Sequence, residues 1–332
     1  MNICIIGAGN IGTYLAAYIS MKEENKVWLH TSKPESFKET IALIEEEKNI
    51  THDVKIHCIT SSYEEAVGNA DYVLITYPSF MMEKTFNTIL PFLKKGTVIG
   101  AIPGFGGKEY LIDALIEKGC IFFGTQRVPS IIRLEKYGES VILKQKNPFM
   151  KIRVIPGEYS EKIAECMTNF IDIPCIPLSS YLAITLSPSN PTMHPSRLYE
   201  LFHDYVEGET VYDRNPLFYE EWGTMASSEL LKLDEELELI FNGFNENNDF
   251  NPEDIEKIKL RYNIQKPEEL SRKINTAPGF IGIDSPMIEV EGGYIPDKNS
   301  RYFIEDIQFG LCILKAFAEL LNIDTPEIDK VA

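Results

Sequence analysis

Positive charge is what this sequence has least of. Against 50 aspartates and glutamates stand 32 lysines and arginines, a net charge of −18 over 332 residues. Nucleic-acid backbones and anionic membrane surfaces are held by cationic patches, so neither is expected as a partner. Small anions are not excluded, because one or two arginines can reverse the field inside a cleft. The acidic stretches at 45–47, 234–236 and 249–256 read as solvated helix faces. Long apolar runs are missing too, since none approaches the ~20 residues that span a bilayer. The six cysteines, Cys4, Cys58, Cys120, Cys166, Cys175 and Cys312, sit mainly in apolar segments. They form no C-x-x-C pair and have no histidine at zinc-finger spacing, so buried reduced thiols are expected, with no disulfide and no metal. The chain runs from Met1-Asn2 straight into Ile3-Cys4-Ile5-Ile6, and a cytosolic enzyme is expected. Repeats and low-complexity tracts are absent.

What is present is enough chain for two domains. The first 125 residues alternate apolar strands (2–6, 26–30, 54–59, 72–77, 97–101, 121–124) with amphipathic helices (10–21, 79–93, 108–118). Strands apolar on both faces and separated by helical crossovers imply a parallel sheet covered on both sides, a doubly wound α/β domain. The pattern continues less regularly, with hairpin-like strands at 140–144 and 151–155, a helix at 158–170 and a strand at 173–177. The boundary is expected near Ser180, giving domains 1–179 and 180–332. The second domain reads as all-α: Leu230, Leu233, Leu237, Ile240 and Phe241 recur at helical spacing, as do Ile304, Ile307, Leu311, Leu314, Ala318 and Leu321. Asn251-Pro252 reads as a helix start.

The first strand ends in Gly7-Ala8-Gly9-Asn10-Ile11-Gly12, a G-x-G-x-x-G opening a helix with Ile11, Leu15 and Ile19 on one face. That context makes it a dinucleotide (Rossmann) site. Gly7 allows the tight turn, Gly9 lets the backbone approach the diphosphate, Gly12 lets helix and strand pack, and the helix N-terminus favours the negative charge. NAD enzymes usually place an acid at the end of the second strand. Here the sequence is His30-Thr31-Ser32-Lys33, with no carboxylate before Glu35. Thr31, Ser32 and Lys33 would welcome a 2′-phosphate, so NADP is preferred over NAD. Tyr77-Pro78-Ser79 and the turn from Pro103 to Gly107 fall where strand ends should face the cofactor.

Two stretches of the second domain suggest chemistry. Ser187-Pro188-Ser189-Asn190-Pro191-Thr192-Met193-His194-Pro195 carries three prolines, so a helix is expected to start at Pro195 with His194 as its N-cap. There the helix dipole disfavours an imidazolium and a nearby carboxylate would favour it, which suits a general acid/base. His52 and His57 lie beside the third strand and His203 inside an ordinary helix, so His194 is the best placed of the histidines that could act. In the second stretch, Arg301-Tyr302-Phe303-Ile304-Glu305-Asp306, Asp306 lies off the apolar stripe. Five α-helical residues apart, Arg301 and Asp306 would point about 140° from each other, so a shared site needs Arg301 at or before the helix start.

These residues resemble the octopine/nopaline (opine) dehydrogenase family. The resemblance runs through the glycine motif, Ala70 to Pro78, Ile102 to Gly107, Gln126-Arg127-Val128-Pro129, Asn190 to Pro195 and Arg301 to Asp306. It implies reductive condensation of an amino acid's amino group with a 2-oxo acid, using NAD(P)H. It further implies a His194–Asp306 dyad with Arg301 gripping a substrate carboxylate, and Gln126 and Asn190 as weaker substrate contacts. The acids in Tyr212 to Trp222, Glu220 and Glu221 among them, depart from the family pattern. They read as a preference for a basic amino donor or as surface charge. Two alternatives stand beside this reading. One is a 2-oxo acid reductase of the ketopantoate type, against which Lys232, Lys257, Lys259 and Lys266 look solvated. The other is a non-catalytic dinucleotide sensor. A homodimer is the generic expectation.

Overall fold

The computed structural model describes residues 1–187, 189–245, 251, 254–255 and 257–332. The chain divides into two compact units, Met1–Thr185 and Leu186–Ala332.

The first unit holds twelve strands among the described residues: β1 (Asn2–Ile6), β2 (Lys26–His30), β3 (Ile41–Glu45), β4 (Ile50–Val54), β5 (Cys58–Thr60), β6 (Tyr72–Ile75), β7 (Val98–Ala101), β8 (Ile121–Thr125), β9 (Ser130–Lys136), β10 (Ser140–Lys146), β11 (Met150–Ile155) and β12 (Cys175–Pro177). Eight form one sheet in the order β12-β11-β8-β7-β6-β1-β2-β5. From β5 to β8 every pairing is parallel, and β11 runs antiparallel to β8. Ile3, Cys4, Ile5 and Ile6 are all fully buried, as expected of a strand covered on both faces. The chain winds from β1 out to β5, then returns to the other side of β1 at β6. The strand order therefore reverses at the C-terminal end of β1, where doubly wound sheets bind their ligands.

Four strands form a second sheet, in the order β4-β3-β10-β9. The sequence pattern missed it. The single strand expected over 54–59 is two strands, β4 in the small sheet and β5 at the edge of the large one. The expected hairpin partners 140–144 and 151–155 do not pair: β10 pairs with β9 and β3, and β11 with β8 and β12. Local alternation carries no information about a partner a hundred residues away. The helix Asn10–Ser20 packs against this second sheet as well as against β1 and β2, which explains why Tyr14 and Tyr18 are buried along with Leu15 and Ile19.

The boundary lies six residues later than expected because the segment after β12 belongs to the first unit. The Tyr181 hydroxyl donates to the Gly104 carbonyl at 3.0 Å, Thr185 donates to Glu109, and the Gln126 amide donates to Ala183 O at 3.0 Å.

The second unit is helical. Its main elements are the helices Asn190–Phe202, Thr224–Asn245 and Pro267–Asn275, followed by the run Arg301–Phe303, Ile304–Leu311 and Cys312–Leu320. It also carries an antiparallel hairpin, β13 (Met287–Val290) and β14 (Gly293–Pro296), which helical periodicity could not register. Leu230, Leu233, Leu237 and Ile240 are buried as their spacing predicts. The helix start expected at Asn251-Pro252 lies outside the described residues at Pro252. No helix among the described residues is long and apolar enough to cross a membrane.

Not all the acidic stretches are solvated faces. Glu236 is buried and accepts the N–H groups of Glu327 and Ile328, both at 2.8 Å, satisfying donors at the start of the helix Pro326–Val331. Asp234 accepts the N–H of Ile258 at 3.1 Å, and Glu45 is buried beside His52 at 3.0 Å. Most of the 249–256 run lies outside the described residues. Of the cysteines expected to be buried, only Cys4 and Cys120 are; Cys58, Cys166 and Cys175 are half-buried and Cys312 is exposed, and all six are free thiols.

Two consequences can be measured. A Cβ on Gly124 would meet the Tyr181 hydroxyl at 2.0 Å, so Gly124→Ala should cost about 1–3 kcal/mol by overpacking, read from chemical denaturation. An unchanged midpoint would mean that Tyr181 is not held where described. Burial raises the Asp234 carboxyl from 3.8 to about 6. A carboxyl raised on folding lends stability that is whole below its unfolded pKa and is lost as pH rises through the folded one. Asp234→Asn, which keeps the acceptor for Ile258, should therefore raise the thermal midpoint at pH 8 and leave it unchanged at pH 3.

Candidate active site

The first unit's candidate site is built from backbone. The chain turns at Gly7 with φ of +104°, a conformation that favours glycine. A Cβ on Gly12 would lie 1.7 Å from the Gly7 carbonyl oxygen, so turn and helix meet only because Gly12 has no side chain. A Cβ on Gly9 would find nothing within 4 Å. No side chain caps the helix that starts there, so its first N–H groups face that open space. Backbone donors, an uncompensated helix N-terminus and room for close approach fit a dinucleotide diphosphate. Ala8 is buried and its carbonyl accepts from the Thr13 hydroxyl at 3.1 Å. The Asn10 side chain is tied to β9, accepting the Leu134 N–H at 2.7 Å, and Ile11 packs against the core. Asn10 and Ile11 thus contribute shape, and through Asn10 a strut, rather than free side-chain donors.

At the end of β2, His30 is buried and stacked on Tyr63 at 3.7 Å. Its Nε2 lies 3.2 Å from Ser61 O, and burial lowers its pKa. The Thr31 hydroxyl is buried against the Tyr137 hydroxyl at 2.9 Å and also accepts the Lys33 N–H. That leaves Ser32 and Lys33, both exposed, as the groups at this strand end free to meet a ribose phosphate. The Tyr77 ring lies against the glycine turn, 3.0 Å from where a Gly7 Cβ would be, and Pro78 follows it before the turn Ser79–Met81. Gln126 is buried in the first unit, its amide committed to Ala183.

In the second unit the structure brings His194 and Asp306 together. His194 Nδ1 and Asp306 Oδ2 are 2.7 Å apart, and both residues are at least 94% buried. A neutral imidazole placed this way donates Nδ1–H to the carboxylate and leaves Nε2 as an acceptor. That acceptor is filled by the hydroxyl of Tyr219 at 2.6 Å. Tyr302 lies against the imidazole at 4.5 Å and Phe218 meets it edge-on at 5.5 Å.

His194 is not an N-cap. The helix runs Asn190–Phe202, with Pro191 near its start and Pro195 inside it, so His194 stands in the second turn. A proline this close to a helix start costs a single ladder bond, the one its missing N–H would make to Pro191 O. Pro188 lies outside the described residues. Asn190 is exposed as the first residue of this helix.

Asp306 lies in a π-helical stretch, Ile304–Leu311. Bonding from i to i+5 widens the helix and is frequent at functional sites. It also breaks the α-period on which the apolar stripe was drawn, and both Glu305 and Asp306 are buried. A Cβ on Gly310 would lie 2.3 Å from Pro191 Cβ, so this glycine is what allows the His194 helix to approach. Arg301 opens the helix that precedes the π stretch, as a shared site required, and is exposed. Among the described residues it makes no ion pair with Asp306.

Tyr219 was not foreseen. Its segment drew notice for its acids, whereas the informative signal was the aromatic run Phe218-Tyr219 before Trp222. The acids are engaged locally: Glu221 binds Arg214 at 2.9 Å and accepts the Leu217 N–H, holding its carboxyl down near 2, and Glu220 accepts the Gly282 N–H at 2.6 Å. They say nothing about the charge of an amino donor.

Two family descriptions divide the chain. Residues 177–332 match the NAD/NADP octopine/nopaline dehydrogenase α-helical domain, and residues 3–142 match ketopantoate reductase PanE/ApbA. Over 99% of its length the chain is 26% identical to tauropine dehydrogenase from Arabella iricolor, of which 89% is covered. Over its whole length it is 24% identical to octopine dehydrogenase from Mizuhopecten yessoensis, 88% covered. Octopine dehydrogenase solved with NADH and L-arginine superposes with a TM-score of 0.84 at 21% identity, covering 100% of this chain and 87% of that one. Yersinopine dehydrogenase bound to NADP+ superposes at 0.71 with 14% identity, covering 100% and 89%.

The glycine turn makes a two-part prediction. Gly9→Ala should leave the thermal midpoint unchanged yet weaken dinucleotide binding by about tenfold or more, some 1.4 kcal/mol, because its methyl fills the approach. Gly12→Ala should lower the midpoint as well. Titration calorimetry and thermal unfolding check both, and equal dinucleotide affinity in wild type and Gly9→Ala would remove the diphosphate from this turn.

Proposed function

We propose that the chain is an opine-type dehydrogenase, catalysing the NAD(P)H-dependent reductive condensation of an amino acid's amino group with a 2-oxo acid. The observation that carries this reading is the buried His194–Asp306 pair, set in the unit that matches the octopine/nopaline helical domain.

A nicotinamide dinucleotide held by its diphosphate at the glycine turn would supply the hydride. The protein's own groups do the rest. Asp306 holds the Nδ1–H of His194, fixes the tautomer and stabilises the imidazolium once it forms. His194 exchanges the proton needed as the carbinolamine loses water and the imine is reduced. Arg301, exposed and with no carboxylate partner among the described residues, is suited to grip the substrate's carboxylate with two parallel N–H donors. Gln126 and Asn190 are assigned weaker substrate contacts. NADP is preferred over NAD, supported by exposed Ser32 and Lys33 and by the lack of an acid at the end of β2. Six free thiols suit a reducing cytoplasm.

The simple 2-oxo acid reductase reading draws on the ketopantoate reductase match, which covers only the dinucleotide unit. A lysine general acid would be needed in the helical unit. There Lys232 pairs with Glu229, Lys257 with Glu238 and Lys259 with Glu235, and Lys266 is exposed.

NADPH and NADH oxidation should therefore require an amino acid and a 2-oxo acid together. His194→Ala should lower kcat by about 100-fold or more, and Lys33→Ala should weaken NADPH by about tenfold with NADH untouched. Oxidation by the oxo acid alone would favour the reductase instead.

A further inference from the structure

His194 has no free edge. Nδ1 is bonded to Asp306, Nε2 to the Tyr219 hydroxyl, Tyr302 lies against the ring and Phe218 abuts it. A general acid/base must reach its substrate, directly or through one intervening group. Either Tyr219 moves aside or the proton passes through it.

The surroundings of Tyr219 decide between these. The ring is 6% exposed. It stacks on Phe280 at 4.2 Å with planes 13° apart, lies parallel to Trp222 at 6.3 Å, and meets Phe218 edge-on at 4.8 Å. Its backbone carbonyl accepts the Trp222 N–H. Each aromatic pair adds stabilisation beyond its buried area. Swinging the ring out would give these up and leave a buried imidazole nitrogen without a partner, a further cost. A hydroxyl, by contrast, can accept one proton while donating another.

We propose that Asp306, His194 and Tyr219 form one proton relay, and that its outlet to the substrate is the Tyr219 hydroxyl rather than His194 itself. This rests on the opine-type reading above. When the amine has added to the 2-oxo acid, the carbinolamine C–O bond breaks and its electron pair leaves with the oxygen. The Tyr219 O–H proton goes to that oxygen, and water departs. The phenol oxygen takes the proton from His194 Nε2–H of the imidazolium, and neutral imidazole remains with Nδ1–H on Asp306. The iminium carbon accepts the hydride with its two electrons and becomes the secondary amine, and NAD(P)H is oxidised to NAD(P)+. One proton from solvent recharges the relay, which matches the single proton that the overall reaction consumes.

Tyr219→Phe keeps the stacked ring and removes only the hydroxyl. With the amino acid and 2-oxo acid that the wild type turns over, kcat should fall by about 100-fold, while KM for the oxo acid and dinucleotide affinity stay as they were. A kcat equal to or above that of the wild type would overturn the relay, since a hydroxyl that merely fills the substrate's place would be better gone. If the thermal midpoint shows that this variant does not fold, fluorotyrosine installed at 219 retains ring and hydroxyl but makes the phenol more acidic. kcat should then change with the acidity of the phenol across mono-, di- and trifluorotyrosine, and a kcat independent of that acidity overturns the proposal. A wild type inactive with every amine and oxo acid pair overturns the parent reading and the relay with it, whereas an active wild type with an unimpaired Tyr219→Phe overturns the relay alone.

Discussion

The contact between His194 and Asp306 joins residues 112 apart in sequence, and much of the second unit can be understood as what is required to bury it. A charged or chargeable pair taken out of water must have its remaining hydrogen-bonding positions filled, and loss of one partner typically costs about 3–5 kcal/mol. The imidazole meets that demand with Asp306 on one nitrogen and Tyr219 on the other. The approach of the two helices depends on Gly310, where any side chain would strike Pro191. The π-helical stretch lets Glu305 and Asp306 turn inward together. Alter the glycine or the helical pitch and the pair separates, though neither touches a reacting atom.

One turn further along the His194 helix, the same logic holds the loop that delivers Tyr219. Arg197 is buried and bonds Phe218 O through Nε at 2.9 Å, while also pairing with Glu200. Glu200 in turn accepts the N–H groups of Gly223 and Ala226 at 3.0 and 3.3 Å. Arg197 and Glu200 thus fix both ends of the segment containing Tyr219, and a Cβ on Gly223 would strike the Glu200 carboxylate. An arginine with planar, directional donors suits this role better than a lysine point charge. These groups have no evident chemistry of their own. They set the position of a hydroxyl that does.

The first unit was legible from its sequence where short-range rules apply. Gly7, Gly9 and Gly12 each meet a separate steric demand, and each demand can be written down before any coordinates are seen. The fully apolar Ile3-Cys4-Ile5-Ile6 could belong only to a strand covered on both sides. The small sheet was not legible, because β3, β4, β9 and β10 come from two distant stretches and declare themselves only once paired. In the second unit, His194 and Asp306 were chosen by residue type, position and family resemblance, yet the helix start was misplaced by five residues. Prolines at 191 and 195 look like helix breakers until the cost is counted as one hydrogen bond near an end already short of partners. Tyr219 stayed hidden because an aromatic in an apolar cluster looks like core, and in every respect but its hydroxyl it is core.

That dual character bears on why the two units match different families. The dinucleotide unit has a general task, to present backbone donors to a diphosphate, and the ketopantoate reductase match over residues 3–142 reflects a solution that serves many substrates. Specific chemistry must then come from side chains elsewhere, since fold alone does not fix function. In the proposed reading it comes, in the helical unit, from groups whose positions are set by packing: an imidazole lodged against Tyr302 and Phe218, a carboxylate turned inward by a wide helix, and a phenol stacked on Phe280. A site made this way has little freedom to rearrange. Proton transfer over 2.6–2.7 Å benefits from that rigidity, because donor and acceptor are aligned before the substrate arrives and the protein need not reorganise while charge moves.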